Sequence, residues 1–193
     1  MTTYEALGSS GVDLGRLVIV MIDEFVVDGA LAPRDAHYSC RRFVDEHVLP
    51  HVGDRTVLCP DPADPAAYDD VEIDLFLLAS GASDGHVAFN PPGTPLDSPT
   101  RIVELAESTR RDNLGTFPGF GSIDEVPRHG VSVGLAAITR AHRAVLLVLG
   151  AHKAAALARL RALDDFDPAW PASVIHRCTD PLVVVDEAAV RGR

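Results

Sequence analysis

The chain has 193 residues, 47% of them hydrophobic and 23% charged, so a real core can be buried and wholesale disorder is excluded. Its 17 basic and 28 acidic residues give a formal charge of −11, which repels phosphate backbones at long range and argues against nucleic acid as a partner. A small anionic ligand is not excluded, because a local pocket can be positive on an acidic protein.

In chain order, residues 2–7 read as a helix. Residues 17–22 are rich in β-branched side chains and too short for a helix, so they predict a buried strand. A helix follows over 37–49, a weaker strand over 56–59, and a Pro/Asp-rich turn over 60–65. Residues 74–79 predict a second buried strand, residues 90–99 a loop with four prolines, and residues 100–105 a weaker strand. Helices are predicted over 107–113, 151–163 and 172–177, and strands over 144–149 and 182–185. Apolar strands alternating with helices predict an α/β fold, a three-layer Rossmann-like sandwich with a mainly parallel sheet covered on both faces. The whole chain, 1–193, is read as one domain. Doubly wound domains open with a strand and a glycine-rich turn, so a chain opening with a helix is read as starting one unit late.

No segment approaches the ~18 apolar residues of a membrane span, and residues 17–22 lack the flanks of a signal peptide, so a cytoplasmic protein without membrane contact is expected. Cys40, Cys59 and Cys178 are far apart and form no CxxC, which predicts three reduced thiols rather than a disulfide framework or a zinc site.

In open α/β sheets, ligands bind beyond the carboxyl ends of parallel strands, so the residues after each predicted strand carry the chemistry. Asp23 and Glu24 follow the first strand. A partly desolvated Asp23 has a raised pKa suited to proton abstraction; the alternative is a solvated turn residue or helix cap. After the strand 74–79 comes Ser80-Gly81-Ala82-Ser83-Asp84-Gly85-His86. Gly85 permits a tight loop on which Asp84 and His86 can face one substrate, and imidazole is the side chain that ordinarily titrates near neutrality. The alternative is a loop histidine held by a backbone carbonyl. After the strand 144–149 comes Gly150-Ala151-His152-Lys153, where Lys153 could hold an anion at a helix start or be a snorkelling surface lysine. His47 and His51 have a metal-compatible spacing, but Pro50 interrupts their helix and no carboxylate completes a site, so no metal is expected. Arg41-Arg42 and Arg110-Arg111 read as solvated helix faces, either pair being able to reach an anion, and Trp170 as a packing anchor.

The ordered set Met21-Ile22-Asp23-Glu24-Phe25, Ser83-Asp84-Gly85-His86-Val87-Ala88-Phe89-Asn90 and Thr100-Arg101-Ile102-Val103 resembles the glucosamine-6-phosphate deaminase (isomerase) family. Further matches are Thr109-Arg110 with Asn113, Val126-Pro127, Val131-Ser132-Val133-Gly134, Leu149-Gly150 with Lys153, and Trp170-Pro171-Ala172-Ser173. The resemblance implies the three-layer fold shared with 6-phosphogluconolactonases and ribose-5-phosphate isomerases. It implies an enzyme that converts glucosamine 6-phosphate to fructose 6-phosphate and ammonia without metal or organic cofactor. In that chemistry His86, helped by Asp84, opens the sugar ring, and Asp23 takes the C2 proton and returns it at C1. Lys153 matches a lysine that holds the sugar phosphate, with Gly81 and Arg110 expected to contribute to substrate binding.

The chain also departs from that pattern. Pro91 stands where the family has a glutamate of the ring-opening relay, Gly115 where it has a phosphate-gripping arginine, and Ala82 at the second glycine of a Gly-x-Gly. The family's first strand and Gly-Gly-Thr-Pro phosphate loop would precede Met1. Met1-Thr2-Thr3-Tyr4 resembles the residues just after that loop, so the chain is expected to be N-terminally truncated relative to the family. Arg101 matches an allosteric position but Val103 replaces a basic residue, so allosteric activation is not expected. Family members include monomers and larger rings, which leaves a homo-oligomer among the expected states. The alternative activities are lactone hydrolysis, as in 6-phosphogluconolactonases, and non-catalytic sugar-phosphate sensing.

Overall fold

The computed structural model describes residues 3–192. Thr2, which opens the expected helix 2–7, lies outside the described residues; α1 runs over Thr3–Ser9. Two parallel sheets and one antiparallel sheet form the scaffold.

The first parallel pair joins β1 (Val18–Val20) to β4 (Thr56–Leu58). Over it lie α1 and a helical stretch made of α2 (Cys40–Phe43), a π turn (Val44–Val48) and α3 (Leu49–Val52). Met21, Val44, Val48 and Val52 are the buried contact, with Tyr4 and Leu7 of α1 packed against them. Pro50 does not end this helix as expected. Proline has no N–H and crowds the preceding turn. The chain widens instead, with the Leu49 N–H donating to the Val44 carbonyl, a π-type bond, and it continues past Pro50.

The second parallel sheet has the order β5 (Leu75–Ala79), β8 (Arg143–Val148), β9 (Pro181–Val185). Its inner face is the main core: Phe76, Leu78, Ala144, Leu146 and Val148 pack on α5 (Leu135–Arg140), α6 (Ala154–Arg161) and the 3₁₀ segment Pro171–Arg177. The outward residues Leu75, Leu77 and Leu182 remain exposed, so the expected cover on both faces is not found on this side among the described residues. The last helix, α7 (Glu187–Arg191), is capped by Asp186, whose carboxylate accepts from the Ala189 N–H and from the Gly150 N–H that closes the β8 end.

The antiparallel sheet was not expected. Its order is β3 (Ala30–Leu31), β2 (Asp23–Val27), β7 (His129–Ser132), β6 (Arg101–Glu104). It packs on an aromatic cluster in which Phe25 meets Tyr38, Phe89 and Phe117 at ring distances of 5.5, 5.0 and 6.0 Å. The helix α4 (Glu107–Thr116) leads toward this cluster. No helix among the described residues is long and apolar enough to cross a membrane.

Candidate active site

Asp23 sits where the chain passes from one sheet to the other. The Met21 N–H still bonds the Leu58 carbonyl of the parallel pair, while Asp23 already pairs with Ser132 in the antiparallel sheet. Asp23 is therefore the first residue of β2 and not merely a residue that follows the predicted strand 17–22. Asp23 is half-buried. Burial, and then the neighbouring Glu24 charge, push its pKa up to about 7. The Cys40 thiol and, when protonated, the His86 ring pull the other way. A carboxyl poised near neutrality suits a general base.

Asp84, Gly85 and His86 follow β5. Asp84 Oδ1 lies 2.7 Å from His86 Nδ1 and accepts the His86 main-chain N–H at 3.1 Å. Ser108 Oγ donates to the other carboxylate oxygen, and Thr109 Oγ1 lies 3.4 Å from His86 Nδ1. Burial opposes the Asp84 charge, but the hydrogen bonds from His86 and Ser108 prevail and hold its carboxyl well below the usual carboxylate range. An ionised Asp84 can only accept, so the shared proton is on Nδ1, and Nε2 is left as the acceptor for a substrate. Phe89 and Asn90, at the far end of the loop, bond to Ser132 Oγ, whose residue is Asp23's cross-strand partner. The His86 loop and Asp23 thus dock on one residue.

Two glycines make room for this arrangement. A side chain at Gly81 would overlap the His86 ring and Asp84 Oδ1, so Gly81 supports the pair, and its N–H donates to the His86 carbonyl at 2.8 Å. Gly85 has φ +68°, and a Cβ there would strike the Trp170 indole. Gly85→Ala combines a left-handed backbone with overpacking and should destabilise the fold by roughly 2–4 kcal/mol. Trp170 is the sole tryptophan, so a fluorescence melt reports on this contact directly. An unchanged midpoint would mean that the indole yields at no cost.

Residues 2–184 match the protein family described as glucosamine-6-phosphate isomerases/6-phosphogluconolactonase. The chain belongs to this family. A glucosamine-6-phosphate deaminase of Shouchella clausii (strain KSM-K16) is 32% identical over 205 residues, covering 97% of this chain and 79% of its own. One from Bacillus cereus (strain G9842) is 30% identical over 197 residues, covering 97% of this chain and 72% of its own. Among solved structures, a monomeric glucosamine-6-phosphate deaminase superposes with a TM-score of 0.85 at 27% identity, over 98% of this chain and 80% of that one. A 6-phosphogluconolactonase from Shewanella baltica OS155 shares the fold with a TM-score of 0.68 at 17% identity, over 94% of this chain and 76% of that one.

Within this family frame, the remaining expected site residues fall into two groups. Lys153, after β8, reaches back to the end of β5, where Nζ donates to the Ser80 carbonyl at 2.6 Å. Burial lowers its pKa, while the charges of Asp112 and Asp84 raise it. Arg110 is not on the solvated helix face that was expected. It is 9% exposed, and its guanidinium donates to the carbonyls of Val126 and Ile123, which fastens the segment after α4. Pro91 turns the chain, its carbonyl accepting from Thr94, and Gly115 faces open space. Sequence reasoning missed Ser108 and Cys40. Ser108 sits in the first turn of α4, where serine ordinarily reads as a helix-start residue. Nothing near Cys40 in sequence points to Asp23.

Proposed function

We propose that this chain is an amino-sugar-phosphate isomerase/deaminase that converts glucosamine 6-phosphate, or a similar hexosamine phosphate, and water to fructose 6-phosphate and ammonia. The observation that carries this is the pairing of a raised Asp23 carboxyl with a separate Asp84–His86 unit around one strand residue, Ser132. Two environments that push carboxylate pKa values apart separate a base from an orienting anion. In this chemistry His86 Nε2 takes the C1 hydroxyl proton and delivers it to the ring oxygen, breaking the C1–O5 bond. Asp23 then removes the proton from C2 and returns it to C1. The resulting C2 iminium adds water and expels ammonia. Lys153 supplies the cation for the sugar phosphate. The resemblance to deaminases at 30 and 32% identity supports this chemistry over lactone hydrolysis. The retained acid–base groups support an enzyme over a sensor. The proposed setting is the cytoplasm, with a small-molecule sugar phosphate as the partner.

The test is an ammonia-release assay on glucosamine 6-phosphate, run beside galactosamine 6-phosphate and 6-phosphogluconolactone. Ammonia from a hexosamine phosphate is the expected result. Lactone hydrolysis alone would assign the chain to the other branch of the family, and tight sugar-phosphate binding without turnover would make it a sensor.

A further inference from the structure

Glu24 has no part in the chemistry above, yet it is 1% exposed and its carboxylate accepts four hydrogen bonds. Oε1 accepts the main-chain N–H groups of Phe25 at 2.8 Å and Cys40 at 3.0 Å. Oε2 accepts from Ser39 Oγ at 2.9 Å and from the Arg41 N–H at 2.9 Å. All four partners are donors, so only an ionised carboxylate satisfies them; an amide would turn its own N–H₂ toward two donors. Three of the four belong to the start of α2, whose N-cap Ser39 in turn accepts from the Arg42 N–H at 3.1 Å. Glu24 therefore ties β2 to α2 at one point. The groups that act on the Asp23 carboxyl are Glu24, next to it on β2, Cys40 on α2 and His86 on the loop after β5; Cys59, after β4, packs against the same buried cluster as Cys40.

We propose that Glu24 is a positioning residue for the base: its carboxylate fastens the start of α2 to β2, so that the Cys40 thiol and a fixed negative charge flank the Asp23 carboxyl. The assignment deepens the proposed deaminase chemistry and rests on it for its catalytic meaning. The two flanking groups act in opposite senses. The Glu24 charge disfavours ionisation of Asp23 and strengthens it as a base, whereas the Cys40 S–H stabilises the carboxylate. A shift of α2 would disturb both together.

The experiment follows the Asp23 carboxyl by ¹³C NMR through a pH titration, in the full chain and in Glu24→Gln, Cys40→Ala and Cys40→Ser. The pH dependence of kcat is measured alongside. Glu24→Gln is expected to move the Asp23 midpoint down and to lower kcat roughly tenfold or more with a smaller change in KM. Cys40→Ala is expected to move the midpoint up, and Cys40→Ser, which keeps a donor, to restore it. A Glu24→Gln midpoint equal to wild type would overturn the proposal. Should that variant not fold, identical midpoints for wild type, Cys40→Ala and Cys40→Ser would overturn it instead. The NMR titration needs no substrate, so a wild-type chain that releases no ammonia would refute the proposed function while the titration still decides the role of Glu24.

Discussion

Asp23→Asn is expected to lower turnover by roughly 10²-fold or more with little change in KM, because the amide keeps the shape of the carboxyl but cannot take a proton. In the wild type, kcat should fall as pH drops through about 7, where burial and Glu24 place the Asp23 titration. The same shift has a consequence for stability. An Asp carboxyl titrates near 3.8 in the unfolded chain and at about 7 in this fold. Between those values the folded state binds the extra proton, so stability falls as pH rises through that window. Asparagine has no proton to lose. The variant should show a flatter dependence from pH 4 to 8 and be more stable than wild type at pH 8, by up to ~4 kcal/mol. Thermal melts across that range check the stability half, and initial rates check the catalytic half. A variant that is inactive but no more stable at pH 8 would mean that Asp23 ionises in the folded protein at its ordinary pKa, with no cost from burial.

The parallel strands were legible because each is a short apolar run: Leu75–Ala79 and Arg143–Val148 lie within two residues of their predicted bounds. Of the antiparallel sheet only β6, predicted over 100–105, was legible. Asp23–Val27 opens with two acids, Ala30–Leu31 has two residues, and His129–Ser132 contains a glycine. Such segments have little strand propensity of their own and are fixed by their neighbours. The same division runs through the candidate site. Asp84 and His86 are two residues apart on a loop after a predictable strand, so proximity could be read from spacing. Asp23 was found by the strand-end rule although the strand it begins was missed. Glu24 with Cys40, and Asp84 with Ser108, meet across 16 and 24 residues through tertiary packing, which no local pattern encodes. Arg110 shows the converse: a charged pair reads as solvated, and only the fold reveals that two carbonyls have drawn one of the arginines inside.

His86→Gln should be poor on the cyclic sugar and much less impaired on a substrate supplied in its open-chain form. Glutamine retains hydrogen-bonding groups at the same reach, so binding should persist, but it cannot carry a proton between the C1 hydroxyl and the ring oxygen. General acid–base steps of this kind are worth ~10²–10⁴-fold, which sets the expected loss in kcat/KM on the ring form. Asp84→Asn should act through the same step. Its carboxylate oxygen, 2.7 Å from Nδ1, fixes the imidazole proton on that nitrogen, and an amide could present N–H₂ there and favour the wrong tautomer. Because the two residues work as one unit, the double variant should be scarcely worse than His86→Gln alone. Rates on both substrate forms for the three variants decide the matter. An equal loss on cyclic and open-chain substrate would remove His86 from ring opening and place it in a later step. Additive losses in the double variant would mean that Asp84 serves the site by some route other than the imidazole it touches.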